Sequence, residues 1–157
     1  YIRFGREKSP VFTTKDTPFI PGKAEIFWES KKPQVLIIGC GPVLYNALLA
    51  AEELEKEKIS TIVLNNHTIK PIDENKIIEL AKKCGAVVSV EEHNIFGGLG
   101  SAISEVLVKN FPTPMEFIGS RDIFGESGKP EELFKKYGLG VKDIKEAVKR
   151  VIKKRSL

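Results

Sequence analysis

The sequence is poor in the residue types that mark several classes of protein. It has two cysteines, Cys40 and Cys84, in separate predicted elements, so neither a disulfide framework nor a thiolate metal site is indicated. We expect buried free thiols in a reducing compartment, which favours the cytoplasm. No apolar run approaches the ~20 residues that a helix needs to cross a bilayer, so the pattern excludes a membrane-spanning helix and predicts no membrane partner.

Histidine is scarce too, and the motifs of two enzyme classes are incomplete. Only His67 and His93 could act as a histidine base, and the Gly-Glu-Ser-Gly segment at 125–128 lacks the spacing of a nucleophile elbow. Gly-Cys-Gly at 39–41 has Leu44 where a dinucleotide-binding turn has its third glycine. These segments therefore favour tight structural turns over hydrolase or nucleotide chemistry.

Charge is abundant, and the net value of +4 comes largely from the last predicted helix. Its lysines and arginines lie near the helix C-terminus, where cations suit the macrodipole and keep a protein in solution. Aromatic residues that could stack on bases are not interleaved with them. We expect a solvated helix face and no nucleic-acid partner.

Apolar strands alternate with amphipathic helices along the chain. Strands are predicted at 24–28, 35–38, 61–64, 86–90 and 115–118, and helices follow the last four of them. Such alternation predicts an α/β fold, with a largely parallel sheet covered by helices on both faces. Only the first strand should be antiparallel, because the turn after it is too short for a crossover.

Residues 1–21 have no sustained periodicity and contain three prolines, as is typical of a linker. The first residues show neither an initiator methionine nor a signal-peptide pattern, so we expect a part of a longer polypeptide. Arg3 and Arg6 lie here. Surface charge is the default interpretation of both, although a guanidinium fork suits a phosphate ligand.

The most polar strand end is Glu91-Glu92-His93, which precedes a glycine turn and a helix. His67 follows the preceding strand at the same predicted sheet edge, where open α/β sheets bind their ligands. Taken alone, His67 is better explained as a hydrogen-bond donor that orders its loop than as a catalytic residue. An imidazole among carboxylates suits charged pairing with a partner. Because no second cluster completes an active site, we expect an interface at this edge and no metal site.

Three segments, in this order and spacing, resemble the C-terminal domain of transketolase. They are His-Thr-Ile-Lys-Pro-Ile-Asp at 67–73, Glu-Glu-His with Gly-Gly-Leu-Gly at 91–100, and Phe-Gly-Glu-Ser-Gly at 124–128 followed by Lys-Tyr-Gly-Leu at 136–139. The likeness extends from about Val35 to the end, and residues 1–6 resemble the last segment of the preceding pyrimidine-binding domain. Deoxyxylulose-phosphate synthase and the β-subunit of 2-oxo-acid dehydrogenases share this domain, but the third segment favours transketolase.

The resemblance implies a three-layer α/β/α domain with a five-stranded mixed sheet at residues 22–157, after an interdomain linker at 1–21. It implies an enzyme that transfers a two-carbon ketol unit between sugar phosphates, with thiamine diphosphate and Mg²⁺. In that family these cofactors lie between the other domains, so we expect none bound by this domain, no catalytic residue in it and no activity alone. The implied partners are the N-terminal and pyrimidine-binding domains, on the same chain or a separate subunit, within a homodimer.

The resemblance implies one kind of site residue, an arginine that binds the substrate phosphate. Family members place an arginine just before the linker on the substrate phosphate, and Arg6 is the similar position, with Arg3 as second choice. The edge residues His67, Glu91, Glu92 and His93 are expected to face a neighbouring domain. A rival hypothesis is a free-standing module that binds an anionic metabolite with this edge and the basic helix.

Overall fold

The computed structural model describes residues 1–5 and 8–155. These residues form five strands and five helices in the order β1, β2, α1, β3, α2, β4, α3, β5, α4 and α5. The strands are β1 Glu25–Glu29, β2 Val35–Gly39, β3 Thr61–Asn65, β4 Val87–Asn94 and β5 Met115–Ser120. The helices are α1 Leu44–Lys56, α2 Glu74–Cys84, α3 Leu99–Asn110, α4 Pro130–Lys136 and α5 Val141–Arg155.

The strands form one sheet in the order β1-β3-β2-β4-β5. β1 pairs antiparallel with β3, whereas the other neighbours are parallel, which confirms the predicted mixed sheet with an antiparallel first strand. The turn after β1 suggests pairing with β2, but β2 lies between β3 and β4 instead. Every residue of β2 is buried, while β1 is mostly half-buried, so each strand has the burial its place requires.

Helices cover both faces of the sheet, which confirms the three-layer α/β/α architecture. Successive side chains of β2 point to opposite faces, so Val35 and Ile37 pack with α1 and α5, and Leu36 and Ile38 with α2 and α3. Helices α1, α2, α3 and α5 each contribute one apolar side to a cluster, whereas α4 has no buried residue. Among the described residues, no helix combines the length and apolarity needed to cross a membrane.

Helix ends follow the predicted signals closely in α2. The Asp73 carboxylate accepts a hydrogen bond from the Lys76 amide at 3.4 Å, and Gly85 ends the helix at a left-handed φ of 77°. Asp73 also accepts from the Ala24 amide at 3.1 Å. The cap of α2 therefore also holds the start of β1, a second role that the sequence pattern does not indicate.

Two segments differ from expectation. β4 continues to Asn94, so Glu91, Glu92 and His93 lie in the strand and the turn begins only after them. The described part of 1–21 contains no helix or strand, but it packs on the domain: the Phe12 ring lies 6.0 Å from Phe27 and 5.9 Å from Tyr45, centroid to centroid. The segment is therefore attached to the domain at Phe12, although most of its described residues are exposed.

Candidate functional site

The carboxyl ends of β2, β3, β4 and β5 meet at one side of the sheet, which we call the carboxyl edge. His67 follows β3 there, and Glu91, Glu92 and His93 end β4. Because β2 lies between β3 and β4, the two histidine-bearing strands are about 10 Å apart. All four predicted residues thus lie at the carboxyl edge, but His67 lies at the end of β3 and the other three at the end of β4.

Glu91 turns inward and is only 2 % exposed. Its carboxylate accepts hydrogen bonds from the amides of Leu99 at 2.7 Å and Gly100 at 2.9 Å, so it satisfies the first free N–H groups of α3. Gly98 lies against it, and a Cβ there would be 2.0 Å from the carboxylate oxygen. Glu91 therefore does not face a neighbour as expected; it holds the strand-to-helix corner together.

Glu92 and His93 are the outward members of the predicted cluster. The His93 side chain is 53 % exposed, with Nδ1 2.8 Å from the Asn94 carbonyl oxygen and 3.8 Å from the Glu91 carboxylate. The Glu92 backbone oxygen accepts from the Arg3 guanidinium at 2.9 Å. His93 is thus available to a partner, whereas Glu92 is used through its backbone.

Asn94 connects two loops of the carboxyl edge and was missed at the level of sequence. Its side-chain nitrogen Nδ2 donates to the Asp122 carboxylate at 2.8 Å, and its side-chain oxygen Oδ1 accepts from the Phe96 backbone amide at 2.9 Å. An Asn a few residues before a glycine pair is a turn signal that could have revealed this role. The loops that it connects carry Phe96, 67 % exposed, and Phe124, 99 % exposed.

His67 is half-buried and contacts its own loop and the N-terminal segment. The ring stacks on Phe19 with centroids 4.3 Å apart, and Nδ1 lies 2.9 Å from the Thr68 hydroxyl. Nε2 is buried, with no hydrogen-bond partner among the residues described. Burial lowers the pKa of His67, and the negative charge of Glu25 opposes this only in part. These contacts support the loop-ordering role.

Only one of the two arginines predicted to bind phosphate lies among the described residues. Arg3 contacts the end of β4 through Glu92, as described above. Arg6, the first choice for a phosphate ligand, lies outside the described residues.

Nothing on the described part of the chain fits the diphosphate and metal of thiamine diphosphate. No three His, Cys, Asp or Glu side chains there are placed to hold a metal ion. The amino end of α3 at the carboxyl edge, a suitable place for a phosphate, already contains the Glu91 carboxylate. Burial raises the pKa of Cys40 to about 11 and that of Cys84 to about 12, so neither thiol is a ready nucleophile.

The basic helix α5 is largely paired with acids. Lys145 contacts Glu53 and Glu57 of the α1 end, each at 2.7 Å, and Arg150 and Lys154 both contact Glu116 of β5. The rival anion-binding module would need these cations free. Their pairing instead attaches α5 to its neighbours.

The fold and this edge together define a three-layer α/β/α domain, whose polar edge residues shape and connect loops. A family model described as "Transketolase, C-terminal domain" matches residues 22–144. The chain belongs to the transketolase C-terminal domain family. This confirms the resemblance seen in the three sequence segments.

Relatives of the chain include whole transketolases and separate subunits. It is 40 % identical over 156 residues to the 6-deoxy-6-sulfo-D-fructose transketolase subunit SqwH of Clostridium sp. (strain MSTE9), covering 99 % of this chain and 48 % of the relative. It is 37 % identical over 155 residues to the transketolase of Rattus norvegicus, covering 98 % of this chain and 25 % of the relative. The chain thus spans between a quarter and a half of these proteins.

Among solved structures, a protein described as a split-gene transketolase in an inactive β4 tetramer matches with a TM-score of 0.92 and 40 % identity. The match covers 98 % of this chain and 50 % of that one. The Campylobacter jejuni transketolase matches with a TM-score of 0.62 and 22 % identity over 85 % of this chain and 19 % of that one, which indicates the shared fold alone.

Proposed function

We propose that this chain works as the C-terminal domain of a transketolase that transfers a two-carbon ketol unit between sugar phosphates. Thiamine diphosphate and Mg²⁺ belong to other domains of that enzyme. Residues 22–157 form the domain and 1–21 lead into it from the preceding domain. The family membership and the transketolase relatives support this assignment. The free thiols Cys40 and Cys84 favour a cytoplasmic location.

The domain's own role in this proposal is assembly. The observation that carries it is the pair of exposed phenylalanines, Phe96 and Phe124, on loops that Asn94 connects. Large apolar side chains held in water on ordered loops are typical of contact surfaces. Their partners are the N-terminal and pyrimidine-binding domains, in the same chain or in a separate subunit of a homodimer. Names such as "transketolase subunit" among the relatives support a separate subunit.

The assembly role can be tested with Phe96→Asp and Phe124→Asp in the complete enzyme. A charge in a desolvated contact should weaken association at least tenfold, measured by analytical ultracentrifugation. Val108→Asp is the matched control for Phe96→Asp, because Val108 is as exposed as Phe96, at 68 %, but lies on α3. Association unchanged by both phenylalanine variants would contradict this role.

Calorimetry on this chain alone tests the accessory assignment against the rival binding module. The probes are thiamine diphosphate with Mg²⁺, and a sugar phosphate. We expect no heat of binding from either, because the described residues offer no metal-ligand group and the α3 amino end is taken by Glu91. Micromolar binding of any probe would overturn the accessory assignment.

Arg6 is proposed to hold the substrate phosphate in the complete enzyme, on the strength of its position before the linker. Arg6→Ala should then raise the Michaelis constant for phosphorylated sugars far more than for unphosphorylated analogues. Equal effects on both substrate classes would refute this role.

A further inference from the structure

The loop at residues 121–128, between β5 and α4, carries the most exposed of the large apolar side chains at the carboxyl edge. Ile123 lines the groove between β5, α4 and α5, whereas the next side chain, Phe124, is 99 % exposed. The 121–128 loop therefore turns Phe124 away from its own domain.

The loop is held before Phe124 at Asp122. The Asp122 carboxylate accepts a hydrogen bond from the Asn94 side chain at 2.8 Å. Asp122 also has a left-handed φ of 53°, a conformation that aspartate tolerates better than most residues and that turns the chain sharply. This contact attaches the first half of the loop to the end of β4.

The loop is held after Phe124 at Glu126. The Tyr137 hydroxyl accepts a hydrogen bond from the Glu126 backbone amide at 2.8 Å, and Lys136 Nζ lies 2.6 Å from the Glu126 carboxylate. The ion pair contributes little, because its two side chains are 51 % and 59 % exposed. The Tyr137 ring, by contrast, packs against the hydrophobic core, so its hydroxyl connects the loop to the core.

These two attachments lie two residues to either side of Phe124. Two residues of chain span at most about 7 Å, so neither side of the loop leaves Phe124 free to move far. A loop that is already ordered loses less conformational freedom when a partner binds. The helix α4 has no buried residue, and it ends at Lys136 just before Tyr137, the residue that holds the loop.

The charges of the loop indicate which surface would suit it. Its charged residues are Arg121, Asp122 and Glu126. Asn94 contacts the Asp122 carboxylate and Lys136 the Glu126 carboxylate, so both acids have partners within the domain. Arg121 is exposed and has no ion pair with any residue that the structure describes. The charge that the loop leaves for a partner is therefore positive.

From this geometry we propose that Tyr137 is a positioning residue of an interaction surface. Together with Asn94, it holds the 121–128 loop so that Phe124 enters an apolar pocket of a partner domain whose rim is acidic opposite Arg121. Aromatic and arginine side chains are enriched at protein interfaces, and a few such anchors supply most of the binding energy. The inference rests on the proposed assembly role, to which it adds the residue that orients the anchor and the chemistry of the partner's surface.

A double-mutant cycle in the complete enzyme tests the positioning role by analytical ultracentrifugation. Phe124→Ala should weaken association about tenfold or more, and Tyr137→Phe about two- to tenfold, because the loop must then be ordered on binding. In a Phe124→Ala background, Tyr137→Phe should add almost nothing, since Tyr137 acts through Phe124. Tyr45→Phe is the matched control: it removes a hydroxyl with no hydrogen bond among the described contacts. Additive effects, or no effect of Tyr137→Phe, would overturn the proposal.

The salt dependence of association tests the acidic rim. Arg121→Ala should weaken association and make it less sensitive to added NaCl, because an ion pair at the rim of an interface is screened by salt. Lys109→Ala is the control, since Lys109 is exposed on α3 and has no ion pair with a described residue. A salt dependence that Arg121→Ala leaves unchanged would overturn the acidic rim.

The order of the loop can be measured without a partner. The sheet of this chain is covered on both faces, so NMR relaxation on the chain alone is suitable. The backbone amides of Phe124 and Gly125 should have order parameters of about 0.8, and Tyr137→Phe should lower them to about 0.6 or below, whereas Tyr45→Phe should not. Equal order in the wild type and Tyr137→Phe would overturn the positioning role.

The two measurements separate this inference from the assembly role on which it rests. If Phe124→Asp weakens association but Tyr137→Phe changes neither loop order nor association, the positioning role is wrong and the assembly role stands. If neither Phe96→Asp nor Phe124→Asp weakens association, the assembly role is wrong and the interaction surface with it, even where Tyr137 orders the loop.

Discussion

Glu91→Ala is the substitution that tests our account of the carboxyl edge most directly. It removes a buried carboxylate and leaves the amides of Leu99 and Gly100 without their acceptor. An unsatisfied buried donor costs about 1–3 kcal/mol, and loss of a negative charge at a helix amino end about 0.3–1 kcal/mol. We expect a loss of about 3–5 kcal/mol in the free energy of unfolding, which for a chain of this size lowers Tm by about 6–20 °C.

The assay is urea unfolding at pH 7, followed by circular dichroism and supported by thermal melting. Glu91→Gln should fall between the wild type and Glu91→Ala, since the amide oxygen still accepts one bond. Formate should raise the stability of Glu91→Ala specifically, because it can occupy the space of the carboxylate and accept from the same amides. Chloride at equal ionic strength is its control.

The neighbouring acid provides the matched comparison. Glu92 is half-buried, and no hydrogen bond of its carboxylate is involved in the corner. Glu92→Ala should therefore change the free energy of unfolding by no more than about 0.5 kcal/mol. If Glu91→Ala and Glu92→Ala are equally stable within 1 kcal/mol, the corner does not depend on Glu91 and our interpretation of this edge is incorrect.

Two further predictions concern burial. The lowered pKa of His67 means that the unfolded chain takes up a proton more readily than the folded one, so its contribution to stability is complete above pH ~6.5 and is lost as the pH falls toward the folded pKa. His67→Gln should flatten the loss in urea midpoint between pH 7.5 and 5.5, and an unchanged slope would refute this. Gly100→Ala would place a Cβ 2.6 Å from the Phe117 ring and should cost about 1–3 kcal/mol in chemical unfolding, whereas Gly125→Ala, which meets nothing within 4 Å, is its control.

Much of the fold follows from patterns that act locally. The run Val35–Gly39 is apolar without alternation, which predicts a central strand, and all five residues are buried. Asp73 and Gly85 mark the ends of α2 because each supplies a backbone requirement that few other residues meet. The pairing of β1 with β3 could not be predicted in this way, since it depends on which parallel strands occupy the centre.

The site was harder to predict because, in a strand buried on both faces, the sequence does not show which face of the sheet each side chain points to. Val87 to Val90 are all buried, so nothing marks which face the next side chain takes. The predicted strand therefore ends at Val90, before the observed end of β4 at Asn94, and the acids that follow are interpreted as polar residues that face a partner at the sheet edge. Once the strand is continued, the period of two places Glu91 on the same face as Val87, which packs with α2 and α3.

The inward position of Glu91 also means that the amino end of α3 is not free to bind an external anion. A helix amino end at a switch point offers free N–H groups and a favourable dipole to an anion. In this chain Glu91 supplies that anion internally, at 2.7 Å from the Leu99 amide, and Gly98 leaves no room for a second one beside it. Glu91, the acid that makes this segment resemble a functional site, thus satisfies the free N–H groups at the start of α3 itself. In the proposed assembly, contacts with other domains would then depend on the outward residues of the same corner, His93 and Phe96, whose positions Glu91 and Asn94 set.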